Sequence, residues 1–239
     1  MIGLLVLAAA LITAPTAPPD IPPLRPRPTP PPAIAPATML ARYAEALAAN
    51  PTPPVLSFEY SLDQTGLQDL QQTHRIFRSG SSERDELLSE DGKRLEPPSI
   101  RIFLGHRNRY ALEALAPRPE AYVFRYLNSV RDGHHVDEVF ATTPRAESNA
   151  TIVQVTIDGV TALPVAIHFV TRAHAGTGSI TFGRVQKYWM ATAATATATV
   201  GKTLAIEHVA FYRYRFPGTL AASTFSTPRP LPSFRPTPY

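Results

Sequence analysis

His134 and His135 stand side by side in "RDGHHVDEV", with Asp132, Asp137 and Glu138 around them. Imidazole and carboxylate groups ligate metals and shuttle protons, so this is the segment with the strongest chemical potential in the chain. Neighbouring residues on a strand point to opposite faces, so the two imidazoles do not readily share one ion, and the segment reads as a solvated turn. His168 and His208 form a second pair that could meet across strands. Without a carboxylate set beside them they read as satisfied structural histidines, a metal enzyme being the lesser alternative.

Other motifs end the same way. Glu83, Asp85, Glu86, Glu90 and Asp91 make an acidic run, read as a solvated hairpin. "GTGS" (176–179) lacks the lysine and following helix of a phosphate loop and reads as a turn. There is no Gly-x-Ser-x-Gly elbow. The chain has no cysteine, which excludes disulfides, thiolate metal sites, a cysteine nucleophile and lipid attachment through an N-terminal cysteine. The residues therefore point away from an enzyme and call for no cofactor and no metal.

The elements around these groups say more. The chain has 239 residues, 44% of them hydrophobic, enough for one large domain or two small ones. Eleven of its 26 prolines fall between Pro15 and Pro36, and another group lies between Pro228 and Pro238. Such runs cannot donate ladder hydrogen bonds and favour extended conformations. The expected division is an N-terminal segment 1–14, a Pro-rich linker 15–36, a folded domain 37–227 and a Pro-rich tail 228–239. In 1–14, Leu4–Ile12 is a continuous apolar run of signal-peptide length with no basic residue before it. It reads as a signal peptide or N-terminal anchor, and the chain as exported to the periplasm or cell envelope. The net charge of +4 is dispersed, with lysine only at Lys93, Lys187 and Lys202. That argues against nucleic acid as a partner and leaves room for contact with an anionic membrane surface.

"ATMLARYAEALAAN" (37–50) places Leu40, Tyr43, Ala44 and Leu47 on one helical stripe, with Thr38 as a candidate N-cap. From Val55 onward the period changes to two. Leu56, Phe58, Tyr60 and Leu62 share one face of a strand, and Ile100, Ile102 and Leu104 share another. Tyr122, Phe124 and Tyr126 align, as do Val153, Val155 and Ile157, and Val165, Ile167 and Phe169. "AATATATV" (193–200) alternates Ala194, Ala196, Ala198 and Val200 with threonines. Threonine's β preference makes it a strand whose all-small face lies under a helix or lines a groove. The returning segment "TLAIEHVAFYRYRF" is expected to put Leu204, Ile206, Ala210, Tyr212, Tyr214 and Phe216 on one face. Short strands with turn signals between them, such as Asp91–Gly92 and Asp132–Gly133, predict an α+β, mainly β fold. It is an antiparallel meander with one N-terminal helix packed on it.

The leading helix, the long meander with Asp-Gly turns, "VTIDGVTALPVAIHF", "GTGSITFG" and the terminal "YRYRFPGTLAASTF" together resemble the periplasmic lipoprotein-carrier (LolA-like) superfamily and related exported proteins. The resemblance covers roughly 37–227. It implies a curved, unclosed half-barrel with helical cover over a cavity for acyl chains or another apolar ligand. The expected function is an exported, non-catalytic protein that binds a lipid or other apolar ligand. The alternative is a membrane-tethered protein-interaction or envelope-sensing module with an envelope protein as partner. Candidate groove residues are those on apolar strand faces: Leu56, Phe58, Tyr60, Ile100, Ile102, Phe124, Ala196, Ala198 and Tyr212. Each has ordinary core as its competing role.

Overall fold

The computed structural model describes residues 34–226, except positions 67, 107, 133–134 and 172–175 and the side chains of Asp132 and His135. The N-terminal segment, the linker up to residue 33, the tail and most of the His134–His135 segment thus lie outside the described residues. The elements are α1 (Pro36–Ala49), β1 (Val55–Thr65), β2 (Leu70–Ser79), β3 (Ser82–Glu90), β4 (Lys93–Phe103), α2 (Leu112–Leu115), β5 (Tyr122–Asp132), β6 (His135–Pro144), β7 (Ala150–Asp158), β8 (Pro164–Thr171), β9 (Gly176–Val185), β10 (Tyr188–Val200) and β11 (Thr203–Arg215). A 3₁₀ turn follows at Ala222–Phe225.

All eleven strands form one antiparallel sheet in the order β4-β3-β2-β1-β11-β10-β9-β8-β7-β6-β5. Two meanders, β1–β4 and β5–β11, are joined where β1 pairs with β11. The sheet does not close: β4 and β5 are its two edges, and the segment 104–121, which carries α2, runs from one to the other. The result is an α+β, mainly β, unclosed half-barrel with an N-terminal helix packed on it, as the sequence predicts.

Helix α1 starts earlier than expected. Pro36 occupies its first turn and Ala35 is the N-cap, with no side-chain cap bond. Proline's fixed φ suits that position, so Thr38 lies inside the helix. Met39 and Tyr43 are fully buried and anchor the larger core cluster with Leu112, Phe140, Val155, Ile157, Ile167, Ile180 and Phe182. Helix α1 is held in place by two long-range contacts. Tyr43 donates to the Pro117 carbonyl at 2.8 Å, and Arg42 to the Val160 carbonyl in the β7–β8 turn at 2.9 Å. A second cluster, Leu56, Phe58 and Ile76, is capped by Tyr110 from the edge-to-edge connection. Phe211 packs against both clusters, so they belong to one continuous inner face.

The Asp91–Gly92 turn forms as read, with both residues at positive φ (49° and 75°), the geometry that matches the twist of a two-residue hairpin. "GTGS" does not form a turn. It opens β9, because its glycines serve close packing instead of chain reversal. A Cβ on Gly178 would collide with the Phe169 ring and the Thr195 carbonyl.

Candidate functional site: a small-residue strip on the inner face

Residues paired across neighbouring strands point to the same face, so the register can be followed as rows across the sheet. One inner row runs Ile152–Phe169–Gly178–Ala196–Glu207–Gln64 over six strands, β7 to β10, then β11 and β1. The next runs Tyr126–Phe140–Val155–Ile167–Ile180–Ala194–Val209–Leu62–Gln72. At the β5–β8 side both rows are bulky and lie beneath α1. At β9 and β10 the rows shrink to Gly178, Ala194 and Ala196, and β11 and β1 carry Glu207, Val209, Gln64 and Leu62. Ala196 and Gln64 are buried, 9% and 7% exposed. Ala194, Ala198, Ala205, Val209 and Leu62 are half-buried, not sealed.

This strip is the feature the "AATATATV" tract creates. Its floor is Ala196 and Ala198, beside Gly178, which the Phe169 ring covers. Phe169 forms one wall, and Tyr60 with Leu62 the other. Tyr60 stacks on His74 with ring centroids 4.6 Å apart, and His74 Nδ1 lies 2.8 Å from Asp85 Oδ1. Burial raises the Tyr60 phenol well above its ordinary pKa, so it remains neutral. The one acidic side chain in the two rows is Glu207, whose carboxyl burial also raises. Among the described residues it has no hydrogen bond or ion pair.

The sequence-predicted residues divide between the two faces. Leu56, Phe58, Tyr60, Phe124, Ala196 and Ala198 lie on the inner face. Leu56 and Phe58 are 0% and 1% exposed, sealed under Tyr110, whereas Tyr60 and Ala198 are half-buried. Phe124 sits apart, edge-on to Tyr43 of α1 at 5.9 Å. Ile100, Ile102 and Tyr212 lie on the outer face. Ile100 and Tyr212 end the row Ile100–Glu86–Arg75–Glu59–Tyr212. The reason for Tyr212 is a bulge: Arg213 takes a φ of 54°. This puts Phe211 and Tyr214 against Phe58 and leaves Tyr212 outside.

The acidic run is not a solvated hairpin. Glu83, Asp85 and Glu86 are buried, 2%, 8% and 9% exposed. The two-residue Gly80–Ser81 turn sets β2 against β3 so that Arg78 faces Glu83 and Arg75 faces Glu86. Arg78 donates to Glu83 at 2.9 Å, and Arg109 and Tyr110 reach the same carboxylate. Outside, Arg213, Glu59, Arg75, Glu86 and Arg84 form a charge ladder that ends with Arg84 donating to the Thr224 carbonyl. Burial acts to raise the Glu59 pKa, but hydrogen bonds from Arg75 and Arg213 outweigh it and hold the carboxyl below its ordinary range.

His168 and His208 do not meet. They share an outer row, with Ser179 and Thr195 between them, so three strand spacings of about 4.8 Å separate them. Ser179 and Thr195 bond each other at 2.9 Å, part of a hydroxyl ladder with Thr177–Thr197. Among the described residues no three His, Asp or Glu side chains converge on one point. What the inner strip offers is apolar contact with one carboxyl at its margin.

No protein-family model matches this sequence, and no curated protein does. Among solved structures the fold is similar to a LolA superfamily protein from Nitrosomonas europaea, with TM-score 0.47, 9% identity, 82% of this chain covered and 99% of that one. A DUF1329 family protein from Desulfovibrio piger gives TM-score 0.47 and 8% identity over 80% of this chain and 96% of that one. An outer membrane lipoprotein-sorting protein domain from Vibrio parahaemolyticus gives 0.42 and 17% over 78% and 95%.

Proposed function

We propose that this chain is an exported, non-catalytic binding protein that holds an acyl chain or similar apolar ligand on the inner face of its half-barrel. The observation that carries the reading is the run of small residues on the inner face of β10 and β11, Ala194, Ala196, Ala198 and Ala205, of which all but Ala196 are half-buried. A sheet face meant only for core would fill these positions with branched or aromatic side chains, as the β5–β8 side does. Burying a methylene gives about 0.8 kcal/mol, so a chain of four to eight carbons contributes roughly 3–6 kcal/mol against the cost of association. Tyr60, Ala196 and Ala198 are the contact residues in this reading, and Leu56, Phe58 and Phe124 support them from below and beside. The test is native mass spectrometry of the protein purified gently from its own envelope fraction, followed by organic extraction. A co-purifying lipid or other apolar species supports the reading. An empty protein that also refuses a fluorescent acyl probe removes it.

A second reading, a protein-interaction module, is favoured by the contrast between the two sheet edges. β4 is protected by Lys93, Arg94, Pro97 and Pro98, devices that block strand addition. β5 has no proline, is 11 residues long, and exposes Val123, Leu127 and Val130. Arg125, also exposed, has no partner among the described residues. An extended partner segment with apolar residues and an acidic one opposite Arg125 fits this edge. Capture of such a peptide by the wild type but not by Val123→Pro supports the module. Equal capture by both removes β5 as the docking edge.

A further inference from the structure

Glu207 has a place in the strip that the apolar reading leaves unused. It lies between Ala196 on one side and Gln64 on the other, on the inner face. It is half-buried, and among the described residues no lysine, arginine or histidine pairs with it. Gln64 turns its amide nitrogen away, donating to the Gln68 carbonyl at 3.3 Å. Tyr60, the wall residue two rows further along, senses the Glu207 charge. A half-buried carboxyl with no protein donor is unfavourable unless something supplies one. The neighbouring floor is too small in side chain to supply it.

Resting on the proposed apolar site, we infer that Glu207 is the polar anchor of that site. It selects a ligand whose apolar chain ends in a protonated amine, and it disfavours chains that end in a carboxylate. The chain would lie along Ala196 and Ala198, with Phe169 at its side and its ammonium group donating to the Glu207 oxygens. Hydrogen bonds between ionised partners are about twice as strong as neutral ones. A like-charged head at the same place meets repulsion in a medium that screens poorly.

The experiment is displacement of the fluorescent probe N-phenyl-1-naphthylamine from the full-length protein at pH 7 by dodecylamine, dodecanol and dodecanoate. The expected result is that dodecylamine displaces at a concentration about tenfold lower than dodecanoate, the ratio that 1.4 kcal/mol sustains. Dodecanol should fall between them. In Glu207→Gln the amine and carboxylate should converge. Equal displacement by amine and carboxylate in the wild type overturns the anchor but leaves the apolar site standing, and this comparison needs no variant. A preference that persists in folded Glu207→Gln also overturns it. Failure of the probe to bind the wild type removes the apolar site, and the anchor with it.

Discussion

The Phe169 ring on β8 occupies the space that a side chain on Gly178 of β9 would need, and the Thr195 carbonyl of β10 closes the same space from the other side. Glycine at 178 is thus a packing requirement, an aromatic ring laid over a strand glycine. Gly178→Ala should destabilise by about 1–3 kcal/mol through overpacking, read as a lower urea midpoint. Gly178→Ala combined with Phe169→Leu should recover part of the loss. No recovery would mean that the Thr195 carbonyl sets the limit by itself.

Glu83 is the shared acceptor of Arg78 and Arg109, and the Arg78 and Glu83 side chains are each 2% exposed. Removing the carboxylate strands two guanidinium groups, one of them fully buried. Glu83→Ala should cost about 3–5 kcal/mol. Replacing both buried partners, Arg78→Met with Glu83→Leu, should cost less than Glu83→Ala alone. Chemical unfolding of the three proteins checks the order.

Glu59 gives a pH signature. Its folded pKa lies below its unfolded value of about 4.3. Its contribution is therefore fully present above the unfolded value and is lost as pH falls through the folded one. The stability advantage of the wild type over Glu59→Gln should be constant from pH 7 to about 5 and shrink as pH drops below about 4. An advantage that grows on acidification would contradict the Arg75–Glu59–Arg213 arrangement.

Much of the fold is written in period-two alternation. The β10 tract, the β1 face and the Asp91–Gly92 hairpin are all read from residue order, because small, aromatic and turn residues each have a local physical preference there. The failures are equally local. Counting apolar residues in β11 favours the even positions, but Arg213 at positive φ shifts the parity, so Phe211 and Tyr214 face inward while Tyr212 faces out. Glu207 goes unnoticed for the same reason: counting back in twos from Phe211 leads through Val209 to Glu207, a face that the even-position count discards. In β4, Ile100 and Ile102 have the right alternation for core, but nothing in the strand itself says which face is inner. The buried ion pairs of β2 and β3 were readable. A two-residue turn at Gly80–Ser81 makes the facing pairs from Ser79–Ser82 to His74–Leu87 sum to 161, which sets Arg78 against Glu83 and Arg75 against Glu86. Composition alone hides this and suggests solvent.

The central claim is that the small-residue strip holds an apolar ligand, and Ala196→Trp tests it most directly. The measurement is titration of wild type and Ala196→Trp with a fluorescent dodecyl probe, alongside Tyr212→Ala as an outer-face control and a thermal unfolding curve for each. The account predicts saturable binding to the wild type and to Tyr212→Ala. It predicts loss of binding in Ala196→Trp with a cooperative unfolding transition retained. Undiminished binding by a folded Ala196→Trp protein would contradict it.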